Sequence, residues 1–132
     1  MGKSSRDKGQ RGEREFAALI REYMGHEITR QLGQERDGGA DIVYGGYAIQ
    51  VKRCETLQLA KWWEQTCNDA FSHNLEPALA YRQNRGNWRI RMRMRELMDT
   101  HKLYGDEWWC NPLYTEELSL DGFFFRIRES GL

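Results

Sequence analysis

The chain is 132 residues long, 39% hydrophobic and 30% charged, which supplies one buried core and not two. No run approaches the roughly 18 consecutive apolar residues of a membrane span. Met1–Arg6 lacks the apolar stretch of a secretory leader and, with Arg at position 6, the myristoylation pattern, so the expectation is a soluble, cytoplasmic protein with no membrane partner.

The three cysteines, Cys54, Cys67 and Cys110, form no Cys-x-x-Cys pair and are expected as free thiols in a reducing compartment. Twenty basic residues balance twenty acidic ones, which by itself argues against a nucleic-acid partner. The balance is uneven along the chain. Residues 37–75 hold three basic and five acidic side chains, residues 76–98 six and two, and residues 99–132 three and seven. A basic block beside an acidic region suits a protein that grips a polyanion and holds cations next to it.

Residues 1–9 are polar and basic and read as a mobile lead segment. Phe16, Leu19, Ile20 and Tyr23 recur at helical spacing, which predicts an amphipathic helix over 10–24 that Gly25 ends. His26 to Leu32 reads as a strand, and 34–40, with glycines at 38 and 39, as a loop. Two runs rich in β-branched and aromatic residues follow, 41–44 and 47–53. Gly45-Gly46 between them signals a hairpin with a two-residue turn.

Ala60, Trp63, Cys67, Ala70 and Phe71 mark the apolar face of a second helix over 57–73, and 76–81 reads as a buried strand with Pro77 near its start. Trp88, Ile90, Met92 and Met94 alternate with Arg89, Arg91, Arg93 and Arg95, predicting a strand with one apolar and one basic face. A short helix is expected near 95–103, and Leu118 to Arg128 reads as a helix started by Ser119, with a strand through Phe123-Phe124-Phe125 as the alternative. The order α-β-β-β-α-β predicts an α/β fold with a small mixed sheet flanked by helices. It divides into the lead segment 1–9, a core of 10–98 and a C-terminal extension, 99–132, packing on the core or on a second copy.

The Gly45-Gly46 turn sets Tyr44 against Tyr47, Val43 against Ala48, Ile42 against Ile49 and Asp41 against Gln50. Directly opposed residues carry Cβ atoms about 5 Å apart. The two-residue period of a strand then puts Lys52 on the face of Gln50, while Ile42, Tyr44, Ile49 and Val51 point the other way. Glu13 lies about 50° from the centre of the first helix's apolar face and looks towards the sheet, whereas Glu15 lies roughly twice as far round. Two carboxylates and an amide oxygen are hard ligands suited to Mg²⁺ or Mn²⁺, which polarise a phosphate ester and lower the pKa of an attacking water. Lys52 is placed to stabilise negative charge accumulating on that phosphate. A plainer account stays open: a carboxylate in the first turn of a helix also serves the helix dipole, and the polar face of a hairpin is often just its wet face.

Residues 8–15 (Lys8-Gly9-Gln10-Arg11-Gly12-Glu13-Arg14-Glu15), then Gly39-Ala40-Asp41-Ile42, then Ile49-Gln50-Val51-Lys52-Arg53 resemble the three motifs of PD-(D/E)XK nucleases. The similarity spans roughly residues 8–82 and is closest to Holliday junction resolvases of the archaeal type and related phage nucleases. It implies a restriction-endonuclease-like core in which Glu13, Asp41, Gln50 and the backbone carbonyl of Val51 bind metal and Lys52 assists catalysis. The departure is Gln50, where the resolvase pattern has Glu; a Gln-x-Lys version is similar to that of Mrr-like restriction nucleases.

Lys8, Arg11, Arg36, Arg53, Arg85, Arg89 and Arg91 are the expected contacts to DNA, since basic side chains pair with phosphate. For the arginine-rich strand the competing account is an exposed edge strand protected by charge. Gln65 is expected in solvent, and Trp62, Trp63, Trp108 and Trp109 in core or dimer packing. His26, His73 and His101 are not spaced as metal ligands. The leading functional expectation is a Mg²⁺-dependent endonuclease acting on branched DNA as a homodimer, encoded by a phage or prophage. The alternatives are a DNA-binding module that kept the fold without catalysis, for which Gln50 is the motive, and a Mrr-like restriction-type nuclease.

Overall fold

The computed structural model describes residues 2–25, 41–98 and 110–130. The predicted strand at 26–32 and loop at 34–40, together with Arg36, His101, Trp108 and Trp109, lie outside these residues. The first helix, α1 (Gly2–Met24), starts well before the apolar periodicity marks it. Residues 2–10 hold no large apolar side chain, so periodicity has nothing to register there. Gly25, at φ 75°, ends the helix in the left-handed region that glycine enters without strain.

The hairpin forms with the register that its turn dictates. Strands β1 (Ile42–Tyr44) and β2 (Tyr47–Cys54) pair antiparallel as Ile42 with Ile49, Val43 with Ala48 and Tyr44 with Tyr47. Gly45 and Gly46 sit at φ 59° and 83°, the positive angles of a turn that matches strand twist. Helix α2 (Leu59–Ser72) then crosses over to β3 (Glu76–Gln83), which lies parallel to β2. Strand β4 (Arg89–Arg93) turns back antiparallel and leads into the short helix α3 (Arg95–Met98). A 3-10 turn at Pro112–Tyr114 precedes β5 (Thr115–Leu118) and the closing helix α4 (Leu120–Ser130). The mixed sheet runs β1-β2-β3-β4-β5.

Period-2 alternation divides the sheet's side chains between two cores. Ile49, Val51, Ala78, Ala80, Ile90 and Met92 pack against Phe16 and Ile20 of α1 and Phe123, Phe124 and Ile127 of α4. Ala48, Leu79 and Tyr81 face the other way, against Trp62, Trp63, Cys67 and Ala70 of α2. The chain is therefore an α/β layering with helices on both sides of a mixed sheet. Both Trp62 and Trp63 are core residues, as expected, and Gln65 is exposed. Among the described residues no helix is long and apolar enough to cross a membrane.

Three expectations are corrected. Cys67 and Cys110 form a disulfide rather than standing as free thiols. The buried face of α2 meets the segment before the 3-10 turn, where the Trp63 indole donates to the Cys110 carbonyl at 3.1 Å, and the two Cα atoms come to 6.1 Å, within disulfide reach. Strand β4 is not an edge, because β5 covers it, pairing Arg91 with Glu117 and Arg93 with Thr115. Three of the four β5 residues are polar, so no apolar alternation announced the strand. The buried face of α2 keeps Trp63, Cys67 and Ala70 of the expected one but extends to Trp62, Thr66 and Asp69, while Ala60 and Phe71 are exposed, roughly 100° or more round from its centre.

Candidate active site

The site is built where β1 stops and β2 runs on. Asp41 stands one step beyond the last paired residue, Ile42, and its Oδ2 accepts the Val51 backbone N–H at 2.8 Å. That bond takes over from the ladder where β1 ends. It fixes the carboxylate against β2 through a group that no side-chain substitution on β2 removes.

Gln50 and Lys52 fall on the α2 face of β2, since they alternate with Ile49 and Val51 of the other core. Lys52 is half-buried. Gln50 is only 3% exposed, and its Nε2 donates to Asp69 Oδ2 at 2.5 Å. Asp69 comes from the buried face of α2 and is 8% exposed. Burial pushes its carboxyl above the usual carboxylate range, while the nearby charges of His73 and Lys52 pull the other way. Asp41, Gln50, Lys52 and Asp69 thus gather at one end of the hairpin.

Glu13 lies in the opposite layer, on the α1 side of the sheet. At Gly12 the backbone of α1 runs so close to β2 that an added Cβ would stand 3.2 Å from the Arg53 Cβ and 3.7 Å from Val51 Cγ1. The absence of a side chain at Gly12 lets the helix settle there, and Glu13, the next residue, is 7% exposed, facing inward as its helical angle predicts. Glu15 lies at the rim instead. It accepts from Arg82, pairs with Arg53 at 3.5 Å and receives the Trp88 indole N–H at 3.4 Å, tying α1 to β2, to β3 and to the start of β4.

The expected DNA contacts divide into two groups. Arg11, Arg85 and Arg89 reach solvent, Arg85 from the β3–β4 turn at φ 65° and Arg89 with a side chain 62% exposed while standing 3.9 Å from Glu117 in an ion pair. Arg53 and Arg91 are held in ion pairs, Arg91 by Glu117 at 3.1 Å and by Thr115 Oγ1 at 2.9 Å. Of Lys8 only the backbone, in α1, is described. The basic strand is therefore partly neutralised by the acidic tail, which explains how two oppositely charged segments coexist.

As a donor set, Glu13, Asp41, the Gln50 amide oxygen and the Val51 carbonyl are all hard oxygens, the kind that Mg²⁺ and Mn²⁺ take. Among the described residues no group of three or more His, Cys, Asp or Glu could hold a metal. Asp69 is the residue that sequence reasoning missed. Its signal was present: it stands three residues after Thr66 and seven after Trp62, on the helix face that turns inward.

Two comparisons bear on what such a site belongs to. A family described as "Phage putative PDDEXK endonuclease" matches residues 4–110, and Protein D14 of Escherichia phage T5 is 28% identical over 114 residues, which cover 68% of this chain and 71% of that protein. No solved structure matches the chain.

Proposed function

The chain belongs to the phage PD-(D/E)XK endonuclease family, and from that premise we propose that it hydrolyses DNA phosphodiester bonds with the help of a divalent cation, Mg²⁺ or in its place Mn²⁺. The observation that carries this reading is the hairpin, which holds Asp41 against the Val51 N–H and turns Gln50 and Lys52 to one face of β2. Glu13, Asp41, Gln50 and the Val51 carbonyl hold the cation, which when bound polarises the phosphate and acidifies the attacking water. The Lys52 ammonium lies beside the phosphate and stabilises the charge that grows on its oxygens as the bond to water forms. Asp41 contributes one oxygen to the Val51 N–H, so its position is set before substrate arrives. Arg11, Arg85 and Arg89 supply sequence-independent contacts to the DNA backbone.

Branched DNA is the proposed substrate and a homodimer the proposed active form, acting within the phage-infected cell. A four-way junction offers two-fold symmetry to a two-fold dimer, and Leu113 and Phe125 leave apolar surface exposed for it. The specific observation favouring a second reading, DNA binding without cleavage, is the uncharged Gln50. The test is incubation with linear, single-stranded, flapped and four-way DNA in Mg²⁺, Mn²⁺ or EDTA. Metal-dependent cleavage of the branched substrates is expected. Cleavage in EDTA would refute metal dependence, equal cleavage of linear duplex would refute branch specificity, and binding without cleavage under every metal would establish the second reading.

A further inference from the structure

Position 50 carries an amide where a third carboxylate would hold a cation more strongly, and that amide is paired with a carboxylate from another element. We propose that Asp69 is a positioning residue for the site: by accepting the Nε2–H of Gln50, it fixes which end of the amide faces α2, so that Oε1, the atom able to ligate a cation, lies on the other side. The inference rests on the metal-dependent reading above.

A glutamine amide has two orientations that exchange its oxygen and nitrogen, and only the one that presents Oε1 can bind a cation. A neighbouring hydroxyl or amide would accept either orientation, because each can both donate and accept. An ionised carboxylate can only accept, so it rejects the flipped amide by opposing oxygen to oxygen. Both side chains are more than nine-tenths buried, so water is poorly placed to substitute for the bond.

The pair also places a negative charge directly behind the amide. Gln50 with Asp69 carries the same total charge as a glutamate at 50 backed by a neutral amide at 69. Burial raises the pKa of the Asp69 carboxyl, and the nearby charges of His73 and Lys52 oppose that rise. Removing such an orienting partner characteristically costs about 10- to 100-fold in metal affinity.

The experiment measures Mn²⁺ affinity by calorimetry on the full chain without DNA, for wild type, Asp69→Asn, Gln50→Glu/Asp69→Asn and Asp41→Ala, with folding checked by circular dichroism. Asp69→Asn is nearly isosteric but lets the amide at 50 flip, and is expected to weaken Mn²⁺ about 10- to 100-fold. The double substitution reverses donor and acceptor while keeping the bond and the charge, and is expected to bind at least as tightly as wild type. Because a carboxylate at 50 can itself ligate, the comparison that carries the inference is folded Asp69→Asn against wild type. Wild-type affinity in folded Asp69→Asn, or a folded double variant that binds no better than Asp69→Asn, overturns the inference. Should Asp69→Asn not fold, Asp69→Ser, whose hydroxyl also accepts either orientation of the amide, takes its place: weakened Mn²⁺ binding in the folded variant supports the inference and wild-type affinity refutes it. If wild type binds no Mn²⁺, or Asp41→Ala leaves binding unchanged, the metal site itself fails and this inference with it.

Discussion

Arg93 carries the sharpest stability prediction. Its guanidinium is 1% exposed, donates from Nε and from Nη2 to the two Glu76 carboxylate oxygens at 2.7 Å each, and from Nη1 to the Leu97 carbonyl at 3.0 Å. One side chain thus joins the last residue of β4, the first of β3 and helix α3. Arg93→Met keeps much of the apolar stem but leaves the Glu76 carboxylate, 12% exposed, without the guanidinium. Removing one partner of a buried pair costs about 3–5 kcal/mol. The residual exposure of Glu76 argues for the lower end, about 3 kcal/mol, a large part of the roughly 5–15 kcal/mol that holds a domain folded. In urea, monitored by tryptophan fluorescence, this moves the midpoint down by about 1–3 M for slopes of about 1–3 kcal/mol/M. Arg93→Met/Glu76→Leu removes both charges and is expected to recover most of the loss, because the desolvation cost disappears with the attraction. A single variant within about 0.5 kcal/mol of wild type, or a double variant no better than the single, would refute the reasoning; that threshold is the ordinary scatter of surface substitutions.

Asp41→Asn, whose amide oxygen still accepts the Val51 N–H, and Lys52→Ala are each expected to lower the cleavage rate by roughly 100-fold or more with folding intact; full activity in a folded variant would remove that residue from the site. Thiol titration of unreduced, unfolded protein is expected to find Cys54 alone, against all three cysteines after reduction. Breaking Cys67–Cys110, which closes 43 residues, is expected to cost about 4 kcal/mol by loop entropy, read as a lower unfolding midpoint under reductant. The Tyr81 phenol, buried and donating to Glu117, is pushed up to about 12, whereas the unfolded phenol ionises near 10. Its raised value stabilises the protein fully below pH of about 10 and less as pH climbs to about 12, so Tyr81→Phe is expected to flatten the fall in stability over that window, measured as urea midpoints from pH 9 to 12.

The hairpin was legible because three local rules agree on it. The Gly-Gly pair selects the turn, the turn sets the register, and the register sorts polar from apolar side chains onto opposite faces. The inward turn of Glu13 was legible for a similar reason, since helical angle follows from the positions of Phe16 and Ile20. What escaped depends on partners distant in the chain. Strand β5 has no apolar alternation, and its place is set by Glu116 and Glu117 meeting Arg126, Arg91 and Arg89. The Cys67–Cys110 bond joins two elements whose contact no spacing rule reports. Arg93 looked like one more member of a basic face until Glu76 reached it from another strand.

Asp69 falls between these cases, and it changes what Gln50 means. Read along the sequence, Gln50 is a lost carboxylate, and restoring it by Gln50→Glu ought to tighten cation binding, opposed only by Asp41 about 5 Å away. In the folded chain the nearer opponent is Asp69, already within hydrogen-bond distance of the side chain at 50. A lone Gln50→Glu therefore drives two buried carboxylates together, and one of them must take up a proton or move apart. The charge that position 50 lacks is thus present one layer away, on α2, delivered through the amide. An uncharged residue in the motif is then compatible with a working site, provided its partner is read with it.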